Sequence, residues 1–215
     1  MSDQEIAAIV GGVIAAVLYA IWLRDQLARR RKRARVAIVP RVPLDPRTLF
    51  DGHVQRIGSL HLPSGNIVAC DPLVFPETAP FERQVDAGDY PVDIAVLGRC
   101  IAAVRVTFQP GKPVRFDRAG DYGVDAGLGC FMDARTAPLL EQAITTDEHV
   151  DALIEALGDR GWTDHRPSPD RADNVMIVAS GLGDGIYTSY WGLDEHDVPM
   201  CLVTDFNVRR RDVVS

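Results

Sequence analysis

The sequence is poor in cysteine, and none of it is paired. Its four cysteines (Cys70, Cys100, Cys130 and Cys201) form no CxxC or CxxH spacing. That argues against a structural zinc site, and in a reducing compartment each thiol is expected to serve as a small buried hydrophobe. The Lys-Ser/Thr that completes a P-loop is missing, as are a GxGxxG fingerprint after a strand and any internal repeat, so neither nucleotide-loop chemistry nor a solenoid is indicated. Basic side chains are scarce beyond the first segment. Residues 1–35 hold seven basic and three acidic side chains, which leaves 16 basic against 27 acidic over 36–215, a net of −11. A surface of that sign repels phosphate backbones, so no nucleic acid is expected as a partner. No cofactor and no metal site is implied.

What is present begins with a membrane signal. Residues 6–23 read IAAIVGGVIAAVLYAIWL, eighteen residues without a charge. As a helix this covers about 27 Å, close to the hydrocarbon thickness of a bilayer. Tyr19 and Trp22 stand at its C-terminal end, where amphipathic rings favour the interface. Arg24, then Arg29, Arg30, Arg31, Lys32, Arg33 and Arg35 follow, whereas the N-terminal flank has only Asp3 and Glu5. The positive-inside bias predicts a single-pass inner-membrane protein with its N-terminus outside and everything after Arg24 in the cytoplasm. A cleaved signal peptide would need its positive charge before the apolar run. Arg29, Arg30, Arg31, Lys32 and Arg33 are expected to lie on anionic lipid. Gly11 and Gly12, with Ala7, Ala8, Ala15 and Ala16, form a small-xxx-small face suited to a homodimer, although such residues are also common in membrane helices generally.

Residues 24–56 read as a basic juxtamembrane segment and a spacer containing Pro40, Pro43 and Pro46, biased toward extended geometry. From 57 to 215 short apolar stretches alternate with turn signals. Strands are expected over 58–62, 66–70, 90–97, 100–108, 114–117, 175–180, 186–193 and 200–206. Helices are expected over 134–145, with Pro138 in the first turn, and after a capping box at Thr145 and Glu148. The second carries Val150, Leu153, Ile154 and Leu157 on one stripe and stops at Gly158. Residues 163–173 read as a polar loop. The expected fold class is therefore β-rich α+β: antiparallel, sandwich-like sheets with two helices, preceded by one transmembrane helix.

Three segments stand apart from ordinary strand-and-turn sequence: IVACDP at 67–72, YGVDAGLGCFMD at 122–133, and GLGDGIY at 181–187 leading to SYWGLD at 189–194 and VTDF at 203–206. Taken with LPSGNIVACDPL and YPV, these motifs resemble the bacterial domain-of-unknown-function family 4241 over residues 57–206. The resemblance implies a bacterial cytosolic domain. It implies no activity, and the membrane helix is an addition to the family pattern.

The residues themselves offer candidates. Gly123, Gly127 and Gly129 read as a loop before a helix, a weak phosphate cradle. Asp133 at the expected helix start reads more simply as an N-cap. Asp125, Asp184 and Cys130 are the catalytic candidates, and Asp125, Asp184, Tyr187, Trp191 and Asp205 the ligand-binding ones. A thiol near a helix N-terminus can lose its proton easily, but Cys130 has no histidine in a motif beside it. Asp71 and Asp194 belong to the same set of turn acids, which more often satisfy local backbone N–H groups. Tyr187, Tyr190 and Trp191 could stack on a ligand or fill a sheet face. The expectation is that the two glycine-rich segments meet at one end of the domain, with Asp125, Asp184 and Tyr187 on a shared cleft. Function is read as a membrane-anchored cytoplasmic binding or regulatory domain with an unidentified protein partner, of the kind used in bacterial conflict or envelope systems. A hydrolase using the Asp and Cys residues of the loops is the alternative, and an envelope scaffold a third.

Overall fold

A computed structural model describes residues 45–208. The expected transmembrane span, the arginine run and the Gly11/Gly12 face lie outside the described residues. Among the described residues no helix is long and apolar enough to cross a membrane.

Ten strands form two wholly antiparallel sheets. They are β1 His53–Leu62, β2 Ile67–Cys70, β3 Gly88–Leu97, β4 Cys100–Thr107, β5 Arg115–Val124, β6 Leu128–Asp133, β7 Trp162–His165, β8 Val175–Ala179, β9 Gly185–Leu193 and β10 Pro199–Asp205. The larger sheet has the order β1-β3-β4-β10-β9-β5 and the smaller β2-β6-β8-β7. Helices α1 (Ala137–Ala143) and α2 (Asp147–Leu157) lie between β6 and β7 in the chain.

The short apolar runs explain the layering. Along β2, β6 and β8 nearly every residue is buried, because alternate side chains serve two different cores. Ile67, Ala69, Phe131, Met176 and Val178 point toward the large sheet and pack with Leu60, Val92, Ile94, Val104, Trp191 and Leu202. Val68, Cys70, Cys130, Met132, Val175 and Ile177 point the other way and pack with Leu140 of α1 and with Leu153 and Leu157 of α2. The outer face of the large sheet carries a third, smaller cluster, in which Leu49 and the partly buried Phe50 cover Ala95, Ala103, Cys201 and Val203. The order of layers is helices, small sheet, large sheet, N-terminal cover. The β-rich, sandwich-like architecture with two helices agrees with the sequence reading.

Several boundaries differ from those the sequence suggests. The large sheet starts at His53, and residues 46–48 form a 3-10 turn within the packed structure. The first four residues of β1 are all exposed, so no alternation marks them. β5 runs on to Val124 because it is an edge strand, charged and bulged between Arg118 and Gly120, which masks the two-residue period. The expected polar loop, 163–173, begins inside β7, a four-residue edge strand with only Thr163 buried. No capping box forms at Thr145: its hydroxyl donates back to Gln142 O at 2.7 Å, and the residue before α2 is Thr146. Gly158 ends α2 as expected, with φ 45° and its N–H on Ile154 O.

α2 meets β7 through two imidazoles, with His149 Nε2 3.0 Å from His165 Nε2. Burial, and next His149, push His165 down to about 4 from its ordinary 6.5. The folded protein thus binds fewer protons than the unfolded chain between these values, and stability rises with pH across that window. Denaturant unfolding should show stability full above about pH 6.5, falling toward pH 4 and then level for this group; His165→Gln should flatten that part of the profile.

Candidate functional site

The chain passes between the sheets at four places, and the conspicuous acids sit at those passages. After β5 in the large sheet, residues 125–127 carry the chain into β6 of the small one. Asp71, fully buried just after β2, holds that passage. Its Oδ2 accepts the N–H groups of Asp125 (2.8 Å) and Ala126 (2.6 Å), and its Oδ1 accepts Leu73 N–H at 3.0 Å. Asp133 plays the same part for the β1–β2 turn. Its carboxylate accepts Ser64 N–H (2.8 Å), Ser64 Oγ–H (2.7 Å) and Arg135 N–H (2.9 Å). Asp133 is therefore not the N-cap of the next helix: it ends β6, and Thr136 precedes α1. Gly65 in that turn has φ +70°, and a Cβ there would lie 1.9 Å from Val85 O, so only glycine fits.

The two glycine-rich segments do meet. Ser180 N–H donates to Gly127 O at 3.1 Å, and Gly127 lies against Gly183. The first of them is a strand-to-strand passage and not a loop before a helix, so it offers no helix N-terminus for an anion. Asp125 and Asp184 are both exposed at this end. Tyr187 does not line an open cleft: it is 4% exposed, its ring meets Phe206 edge-on at 5.1 Å, and its hydroxyl donates to Ser180 O (3.0 Å) and Gly183 O (2.6 Å). The phenol closes the 180–183 turn from inside.

The other candidates are likewise held within the packing. Trp191 is buried between Phe81 (6.0 Å) and Phe108 (5.9 Å) in the main core. Asp205 accepts Asn207 N–H at 2.7 Å, and Asp194 accepts the N–H groups of His196 and Val198, both as local turns. Cys130 lies mid-strand with its Sγ 3.5 Å from Cys70 Sγ, and both thiols are fully buried. Burial, and next Cys70, push the Cys130 thiol well above the ordinary value, the opposite of what a nucleophile needs. Cys130 is a packed cross-strand residue.

A groove of about 470 Å³ opens at the opposite end of the large sheet, where β3 and β10 begin and β4 ends. Its aromatic floor is Tyr90 against Phe108, ring centres 5.1 Å apart and edge-on. Gln84, Gln109, Asp86 and Val198 surround it, with Ser64 at one side. Gln84 Nε2–H donates to Ser64 O at 2.6 Å, and Tyr90 Oη–H to Asp86 O at 2.7 Å. Burial, and next the Asp86 charge, raise the Tyr90 phenol above its ordinary value, so it stays a donor. No histidine, cysteine, lysine or arginine lines the groove. Sequence reading missed the groove because its residues come from five separate segments; Ser64 and Tyr90 stand in family motifs, but nothing local joins them to Gln84, Phe108 or Val198.

Two substitutions separate a buried structural acid from an exposed one. Asp71→Asn turns an amide NH₂ toward backbone donors, and should cost about 2 kcal/mol or more, lowering the thermal midpoint by roughly 4–8 °C. Asp184→Asn, at an exposed position, should leave the midpoint within about 2 °C, the usual range for surface changes. Calorimetry of both variants beside the native chain reads the difference.

A family model described as "Protein of unknown function (DUF4241)" matches residues 60–204. No curated protein and no solved structure matches the chain. The family match runs from the end of β1 through nearly all of β10, about two thirds of the 215 residues, and agrees with the resemblance carried by the sequence motifs. The chain belongs to the DUF4241 family.

Proposed function

We propose that this chain is a single-pass membrane protein whose β-domain faces the cytoplasm and binds a partner through the groove floored by Tyr90 and Phe108. The uncharged run over 6–23 and the arginines behind it support the anchor and its orientation. Arg29, Arg30, Arg31, Lys32 and Arg33 meet anionic headgroups, and the Gly11/Gly12 face pairs two anchors. The observation that carries the binding reading is the chemistry of the groove: an apolar aromatic floor, amide side chains at the rim, and one carboxylate. Such a lining suits an uncharged or cationic segment of another protein, which offers both apolar and hydrogen-bonding groups. It does not suit a phosphate, which would need basic donors.

Hydrolysis is disfavoured on the same grounds. Ser64, the hydroxyl at the groove, directs its proton into buried Asp133 with no histidine lining the groove. The Asp133 carboxylate also holds the Ser64 and Arg135 N–H groups, a structural role, and Cys130 has no base arranged beside it. The exposed Asp125 and Asp184 mark the far end of the domain as a separate surface.

Orientation is tested with an introduced thiol, since Cys70, Cys130 and Cys201 are buried and Cys100 is half-buried. Glu195→Cys, with the native side chain 80% exposed, should resist an impermeant maleimide in intact cells and react after permeabilisation. Reaction in intact cells would reverse the topology. For the groove, a photo-crosslinking residue at Val198 should give a discrete adduct in native membranes, whereas the same residue at Ile186, at the opposite end, should not. Equal adducts at both positions, or none at Val198, would refute the groove as the docking surface.

A further inference from the structure

His149 stands in the first turn of α2 and His165 at the last residue of edge strand β7. Sixteen residues apart in sequence, they match no metal-binding motif, yet the fold brings their Nε2 atoms to 3.0 Å with ring centres 4.9 Å apart and planes at 89°. Both residues are half-buried. We propose that His149 and His165 form a two-histidine site for a divalent d-block ion such as zinc or copper(II), clipping the helix layer to the edge of the small sheet.

The geometry needs little change. Two nitrogens each about 2.0–2.1 Å from a tetrahedral zinc stand roughly 3.3–3.4 Å apart. The pair must open by about 0.3 Å, and both rings then present Nε2 lone pairs with their protons on Nδ1. Without the ion, the contact is one N–H···N hydrogen bond, worth about 1 kcal/mol.

The site is open. Among the described residues no cluster of three His, Cys, Asp or Glu side chains could hold a metal, so water or an incoming donor fills the remaining positions. Asp164, next in chain, is turned to Asn174, whose Nδ2–H donates to it at 2.7 Å. An all-imidazole pair selects zinc, copper or nickel and offers nothing to magnesium or calcium, which require oxygen donors.

The test uses the full chain in detergent, stripped of metal and titrated with zinc chloride. Zinc should raise the thermal midpoint saturably by several degrees, and magnesium should not. His149→Gln and His165→Gln should each weaken zinc binding at least 10-fold, while His196→Gln should leave it unchanged. Should His165→Gln not fold, copper(II) bound to the native chain supplies the second readout: its electron paramagnetic spectrum should carry hyperfine splitting from two imidazole nitrogens, and His149→Gln should leave one. No zinc binding at millimolar concentration, native affinity in His149→Gln, or fewer than two coupled nitrogens overturns the site.

Discussion

Burial of the four-stranded sheet on both faces is the constraint on which the other layers depend. Phe131 and Met176 need the large sheet as cover, while Cys130, Ile177 and Met132 need the helices. At about 25 cal/mol per Å² of apolar surface, neither face could be left wet in a domain of this size. The two helices are short, with Leu140, Leu153 and Leu157 as their buried residues, and their place is set by the sheet they cover. The large sheet turns its own outer face to Leu49 and Phe50. Arg105 lies over the Phe50 ring at 4.4 Å and pairs with Asp93 on the neighbouring strand. Burial works against the Asp93 charge, but hydrogen bonds from Arg56 and Arg105 outweigh it and hold that carboxyl below the usual range.

A chain that moves repeatedly between two sheets must turn at the sheet ends, where backbone N–H groups lose their ladder partners. Buried carboxylates answer that need. Asp133 takes two donors from the β1–β2 turn and one from its own segment, and Asp71 two from the β5–β6 passage and one from its own. Tyr187 and Ser180 close the return from β8 to β9 by donating to carbonyls. The acids and glycines that make the motifs conspicuous are thus largely the means of changing sheets.

This bears on function, because the glycine-rich segments are not where the domain is open. The glycine-rich passages are pinned by backbone bonds at one end, and the aromatic groove lies at the other. In the proposed reading, anchoring and recognition are separate tasks. A charged juxtamembrane segment holds the domain at the lipid surface, and an aromatic groove with one carboxylate takes a partner segment there.

By itself, the sequence determined the class of the domain, its helix stop at Gly158, most of its strands and its family, since each is written locally: a two-residue period, a glycine with positive φ, a contiguous motif. Even the meeting of the glycine-rich segments was legible, because both follow directly from strand ends. The tertiary structure decided the rest. The strands HVQR at 53–56, RAGDYGV at 118–124 and WTDH at 162–165 lie at edges or carry exposed residues, so no apolar alternation announces them. Asp133 lost its expected N-cap role, and Cys130 kept the role of a packed thiol, once the segment proved to be a buried strand and not a helix entry. The groove residues and the His149–His165 contact join positions distant in the chain. Strand pairing and layer packing fix such proximity, and no local pattern of residues encodes it.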